Sequence, residues 1–274
     1  MFVGFVDFVA IAYFMNKPKP KIAVHKFSSC DGCQLAFLDL GEDLLALAEQ
    51  VDIRHFAEAG ILGEDEPVDI AFVEGSISTP EDEERIQRIR TTSRLLITIG
   101  ACATAGGLQA LRNLANTKEW IAAVYAQPDY IASLDQALPI RARVPVDFEL
   151  WGCPVNSRQI LTAVGSLLNG VMPVDERDKV CMECKRQQAV CVMVAEGRPC
   201  MGPVTRTGCG ALCPRFGRGC YACYGPAETL NTEALGTCLQ GFGLVGREVA
   251  QHFLGTHSQM PVFLDAAQRW KETP

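Results

Sequence analysis

Residues 68–107 read VDIAFVEGSISTPEDEERIQRIRTTSRLLITIGACATAGG, and this stretch decides the fold. Val68–Ile77 is an apolar run closing on Gly and Ser, the pattern of a strand buried on both faces. Thr79-Pro80-Glu81-Asp82 marks a helix start, with a Thr cap, Pro at the first position and acids in the first turn. The helix continues through Arg85–Arg90, and Leu95–Ile99 is a second buried run. Working outward, Lys21–Phe27 is a short β-rich segment and Val51–Phe56 another. Between them Leu35, Leu38, Leu44, Leu45 and Leu47 keep a helical stripe that Gly41 weakens. Downstream, Phe148–Trp151 leads into GCPVNSRQILTAVGSLL, a strand, a loop and a helix, after a long irregular connection over 116–147. Strands alternating with helices predict an α/β fold, a flavodoxin-like parallel sheet covered on both faces. The expected division is an apolar extension over 1–20, the sheet domain over 21–177, and a Cys-rich, largely irregular domain over 178–274. Residues 178–226 show little periodicity, so something other than apolar packing is expected to hold them; 227–274 return to short amphipathic patterns that fold back on the rest.

The chain has 274 residues, 48% hydrophobic, enough for a large core, and carries a net charge of −7 with no basic block. That balance argues against nucleic acid as a partner. Thirteen cysteines are more than packing requires, and nine lie between 181 and 238. The odd count and the length disfavour a secreted disulfide scaffold and point to thiolate ligands in a reducing compartment. The opening MFVGFVDFVAIAYFM is shorter than the ~20 residues of a membrane span and is interrupted by Asp7. With no export signal and no other apolar span, the expectation is a cytoplasmic protein without a transmembrane segment, its N-terminal arm a non-native upstream start or a surface that packs on a partner.

Cys30 and Cys33 follow the first strand, Cys102 follows Leu95–Ile99, and Cys153 follows Phe148–Trp151. In an open α/β sheet, ligands bind beyond the carboxyl ends of the strands, so four thiols from three loops can meet on one edge. Four thiolates around one centre mean zinc or iron–sulfur. The helix start at 31–34 would offer free N–H groups to an anionic group, and Gly32, Gly100, Gly106, Gly107 and Gly152 would admit inorganic sulfide. A redox dithiol would explain C-x-x-C alone, and a buried small side chain would explain Cys102 alone. Neither explains four cysteines at equivalent addresses.

A second region, CMECKRQQAVCVMVAEGRPCMGPVTRTGCGALCPRFGRGCYAC, holds eight more cysteines. The simplest division is Cys181, Cys184, Cys191, Cys200 and Cys209, Cys213, Cys220, Cys223, and a crossed arrangement trading one ligand stays open. Zinc or two 4Fe–4S clusters would hold such a segment by coupling metal binding to folding. Cys238 reads as a packed free thiol, and His25, His55, His252 and His257 lack ligand spacing. Arg186, Arg198, Arg206, Arg215 and Arg218 are placed either to offset cluster charge or to face solvent.

The motifs SSCDGCQLAFLDL, VDIAFVEGSIST, IGACATAGGLQAL, WGCPV and CMGPVTRTGCGALCPRFGRGCYACYG resemble the small, electron-transfer subunit of nickel–iron hydrogenases. The likeness is to the delta subunit of the cytoplasmic NAD(P)-linked, or sulfhydrogenase, type, and it spans roughly 21–226. The resemblance implies three 4Fe–4S clusters: proximal on Cys30, Cys33, Cys102 and Cys153; distal on Cys181, Cys184, Cys191 and Cys200; medial on Cys209, Cys213, Cys220 and Cys223. Glu74 matches a position near the proximal cluster, as a hydrogen-bonding or docking residue or simply a strand-end carboxylate. Two departures stand out. Val155 replaces the usual second Pro after Cys153, and Cys181 stands where periplasmic relatives have His.

The resemblance further implies part of an oxidoreductase with no catalytic centre of its own. Electrons would pass between the nickel–iron site of a large subunit and flavin- or iron–sulfur-bearing subunits that reduce NAD(P). Two other readings are a zinc-stabilised structural or regulatory protein and a quinone-reductase-type electron-transfer subunit. The latter has adjacent Cys-Cys in place of CDGC and lacks the eight-cysteine segment.

Overall fold

The structure, a computed structural model, describes residues 18–63 and 66–273. The apolar stretch 1–15 lies outside the described residues. Five strands build the sheet: Lys21–Lys26 (β1), Asp52–Phe56 (β2), Val68–Glu74 (β3), Ser93–Ile99 (β4) and Phe148–Leu150 (β5). Their order is β2-β1-β3-β4-β5 and every adjacent pair is parallel, the flavodoxin-like arrangement. The run VDIAFVE is apolar throughout because β3 is central and covered on both sides; Ala71, Phe72 and Val73 are fully buried.

Register sorts the side chains to two faces. Phe72 pairs with Val24 on one side and Ile97 on the other, and all three join one core with Phe37, Ile160 and Val164. Ala71, Val73 and Leu96 turn to the opposite face and pack with Ile86 and Ile89. The helices that supply these partners are Gly32–Leu38 (α1), Glu42–Gln50 (α2) and Pro80–Thr92 (α3), with Gly100–Ala105 (α4), Thr117–Val124 (α5) and Ser157–Leu168 (α6) following. The start of α3 is as read. Thr79 Oγ1 accepts the Asp82 N–H at 3.1 Å, the Asp82 carboxylate accepts the Thr79 N–H at 3.0 Å, and Pro80 follows the cap.

Three expectations are corrected. The leucine stripe over 35–47 is two helices, broken where Gly41 takes φ 59°, and Leu45 stays 69% exposed. The connection 116–147 is not wholly irregular. Asn116 caps α5 by accepting the Lys118 N–H at 3.0 Å, but the helix leaves Trp120 and Val124 exposed, so its sequence lacks a clear buried stripe.

The Cys-rich region also has an apolar core. Its short helices are Val180–Arg186 (α7), Val192–Glu196 (α8) and Leu212–Arg215 (α9). Val180, Val192, Met201, Val204, Ala211 and Ala222 pack against Leu235, Leu239, Val249, Phe253 and Phe263. The last five residues come from Thr232–Gly241 (α10), Gly246–Phe253 (α11) and Pro261–Lys271 (α12), which fold back onto the loops as expected. No helix of the described residues is long and apolar enough to cross a membrane.

Candidate metal centres

Cys30 lies in the loop after β1, Cys33 in α1, Cys102 in α4 just past β4, and Cys153 just past β5. All four leave the carboxyl edge of the sheet. Cys33 is buried, Cys102 and Cys153 are half-buried, and Cys30 is exposed. The four share one electrostatic neighbourhood. The Cys33 thiol is pushed up by burial first, then by the Glu74 carboxylate, and further by any charge on Cys102 or Cys153. Cys102 is pushed up to about 12 by burial, then by Cys153, Cys30 and Glu74. Cys153 is raised by burial, Cys30 and Glu74. Thiols in such a place stay protonated until a cationic centre takes them as thiolates.

The backbone leaves room at the sulfurs only because glycines line it. Gly100 adopts φ +85°, and a Cβ there would collide with Cys33 Sγ. At Gly107 a Cβ would come within 2.5 Å of Cys102 Sγ. The donors are all sulfur, and the cradle is one that side chains would fill; both fit an iron–sulfur group held by Cys30, Cys33, Cys102 and Cys153. Among the described residues no three His, Cys, Asp or Glu side chains are spaced to hold a single metal ion.

Glu74 ends β3 at 2% exposure, and its carboxylate accepts two backbone N–H groups of α1. Cys33 N–H donates to Oε1 at 3.0 Å and Gln34 N–H to Oε2 at 3.2 Å. This corrects the reading of the helix start: these N–H groups are not free for an anionic group, because a carboxylate from the neighbouring strand already takes them. Burial raises the Glu74 pKa, and the two backbone donors partly oppose the rise.

In the second region Cys181 and Cys184 sit on α7, and Cys191 caps α8. Cys200 Sγ accepts the Cys220 N–H at 3.1 Å and the Gly202 N–H at 3.4 Å. Burial raises Cys181, and Cys200 and Cys191 add to the rise. Cys184 is pushed up to about 11 by burial, then by Cys181, Cys200, Cys191 and Cys209. Cys223 is pushed up to about 12 by burial, then by Cys209, Cys153 and Cys213. Cys220 is raised by burial and feels both Cys200 and Cys223, so it stands between the two sets of the simplest division. Charge on Cys153 would thus be felt at Cys223, and charge on Cys209 at Cys184.

Residues 30–167 match the family described as NADH ubiquinone oxidoreductase, 20 Kd subunit. Sulfhydrogenase 2 subunit delta of Pyrococcus furiosus is 37% identical over 215 residues, covering 78% of this chain and 90% of the relative. The chain belongs to this family, as a hydrogenase small subunit. It is thus part of an oxidoreductase. The delta subunit of the NAD-reducing hydrogenase HoxS of Cupriavidus necator is 32% identical over 167 residues, covering 56% of this hydrogenase subunit and 80% of the relative. The crystal structure of an NAD+-reducing [NiFe]-hydrogenase in the H2-reduced state matches at TM-score 0.52 and 31% identity, covering 57% of this chain and 95% of that one. The 20 Kd family match ends at residue 167, before the eight-cysteine region begins.

Other residues of this hydrogenase subunit have structural surroundings. His25 and His55 stack at 4.8 Å, and His257, 1% exposed, stacks on Trp151 at 5.5 Å. Arg206 is buried rather than solvated: it lies 4.3 Å over the Trp151 ring and pairs with Asp175 at 3.1 Å. Sequence reasoning missed three residues at the sites: Gln109, which partly opposes the upward shift of the Cys102 thiol, Asn156 and Glu183. The N-x-x-Q capping signature from Asn156 to Gln159 was available; the others lack a local signal because their partners are distant in the chain.

Proposed function

We propose that the chain is the iron–sulfur electron-transfer subunit of a cytoplasmic nickel–iron hydrogenase, holding three 4Fe–4S clusters. Its partners on this reading are a nickel–iron large subunit and a flavin- and iron–sulfur-bearing module that reduces NAD(P). The observation that supports the reading is that Cys30, Cys33, Cys102 and Cys153 lie beyond the carboxyl ends of parallel strands, with glycines in place of side chains at Cys33 Sγ and Cys102 Sγ. The NAD(P) assignment leans on the relatives named NAD-reducing, and the domain division 21–177 and 178–274 on the two separate cysteine regions.

When bound, such groups supply one-electron acceptance and release over a range of potentials of roughly −700 to +450 mV. The chain's own residues do the rest. Cys30, Cys33, Cys102 and Cys153 would hold the proximal group; Cys181, Cys184, Cys191 and Cys200 the distal; Cys209, Cys213, Cys220 and Cys223 the medial. Glu74 fixes the Cys33 backbone and places a carboxylate beside the first set. Gly100 and Gly107 keep side chains out of the sulfur cradle. Backbone N–H donation to Cys200 Sγ stabilises negative charge on that sulfur.

Metal and acid-labile sulfide analysis of the purified complex tests the reading. Three clusters require about twelve iron and twelve sulfide per chain. Zinc without sulfide refutes it.

A further inference from the structure

The Gly208 peptide is gripped from two sides by side chains of other cysteine loops. Its N–H donates to Glu183 Oε1 at 2.9 Å, and its carbonyl oxygen accepts from Asn156 Nδ2. Asn156 Nδ2 also donates to the Tyr224 hydroxyl at 3.1 Å. Glu183 lies between Cys181 and Cys184, Gly208 precedes Cys209, Tyr224 follows Cys223, and Asn156 is the third residue past Cys153. One hydrogen-bonded junction therefore touches a loop of each of the three cysteine sets.

The amide of Asn156 has only one orientation here. Its Oδ1 caps α6 by accepting the Gln159 N–H at 2.9 Å. A backbone N–H can only donate, so the atom facing it is oxygen, and the atom facing Gly208 and Tyr224 is the nitrogen. The junction is also closely packed. Tyr224 is 4% exposed, and a Cβ at Gly208, where φ is +132°, would come within 2.7 Å of Gln159 Nε2 and 2.8 Å of Tyr224 Cε1. Glu183 is held at its other end as well, with Oε2 accepting the Ala211 N–H at 3.1 Å. Buried, mutually satisfied networks of this kind rigidify what they join.

We propose that this junction is a spacer, with Asn156 and Glu183 as positioning residues that fix the separation of the 209/213/220/223 set from the other two. The inference rests on the reading that these sets hold iron–sulfur groups. Tunnelling between such groups falls steeply with separation, so a rigid spacer sets both the rate and the magnetic interaction between neighbours.

Asn156→Asp isolates the role. It keeps the oxygen that caps α6 and replaces the donor with a second acceptor, facing the Gly208 carbonyl and the Tyr224 hydroxyl. In the complete complex, iron and sulfide per chain are expected to match the wild type. The spin–spin interaction between the EPR signals of the 30/33/102/153 and 209/213/220/223 sets should weaken, and electron transfer between them should slow. Tyr224→Phe removes one bond of the junction and should give a smaller change in the same direction; if Asn156→Asp fails to assemble, Tyr224→Phe decides alone. Unaltered spin interaction and transfer at full iron content overturn the spacer. A wild-type complex with zinc and no sulfide removes the functional reading itself, and the spacer falls with it.

Discussion

Replacing Glu74 with Ala should loosen the start of α1 in a way that can be read amide by amide. The Glu74 carboxylate is the acceptor for the buried N–H groups of both Cys33 and Gln34. Glu74→Ala leaves both donors without a partner, and each buried unsatisfied group costs about 1–3 kcal/mol. At 1.36 kcal/mol per factor of ten, protection of each amide against hydrogen exchange should fall by roughly five- to 150-fold. Glu74→Gln has one carbonyl oxygen where the carboxylate had two, so only one of the two amides should stay protected. Native-state hydrogen exchange of the assembled complex, resolved to residues 33 and 34, is the assay. The amides of β3 and β4, held by the sheet ladder, serve as internal controls. If both amides keep wild-type protection in Glu74→Ala, the carboxylate does not hold this loop and the assignment of its role is wrong.

Further outcomes follow from the same structure. On the proposed function, Cys102→Ser should remove or convert the cluster assigned to Cys30, Cys33, Cys102 and Cys153 and cut hydrogen-to-NAD(P) electron flow; unchanged EPR signals and activity would show that site to be misassigned. Gly100→Ala forces an L side chain into φ +85°, a strain of roughly 1–2 kcal/mol, and drives its Cβ into Cys33 Sγ, so metal analysis should show selective loss from the first set. Burial lowers the pKa of both His25 and His257 from 6.5 to about 3. Between those values the unfolded chain binds protons that the folded chain refuses. Stability should therefore be full above pH 6.5 and fall toward pH 3, each histidine adding up to about 1.4 kcal/mol per pH unit. Denaturant titrations across that window should show His25→Asn flattening the slope. Thr79→Ala removes the cap of α3 and should destabilise the chain by about 1 kcal/mol, measured as a lowered unfolding midpoint.

Much of the sheet is legible in the sequence because parallel strands covered on both faces leave apolar runs, as in Val68–Val73 and Leu95–Ile99. The start of α3 was legible because capping is local chemistry, complete within four residues. The address of Cys30, Cys33, Cys102 and Cys153 past the carboxyl ends of β1, β4 and β5 was legible because it follows from strand position alone. Helix α5 was hidden because it turns Trp120 and Val124 to solvent. The apolar core beneath the Cys-rich loops was hidden because Val180, Met201 and Val204 have no period of their own. Their order comes from the faces of α10, α11 and α12, which arrive later in the chain.

By itself, then, the sequence determined the parallel α/β architecture, the family and the sulfur-rich character of three sets of side chains, because each is written in short-range pattern or in residue chemistry. Tertiary structure alone decided that Glu74 would occupy the N–H groups of α1, that Arg206 would lie on Trp151, and that Gly208 would tie three loops together. These are bonds between residues dozens of positions apart. A donor and an acceptor so separated carry no mark of each other in the chain, and only the packing of the finished fold brings them within reach.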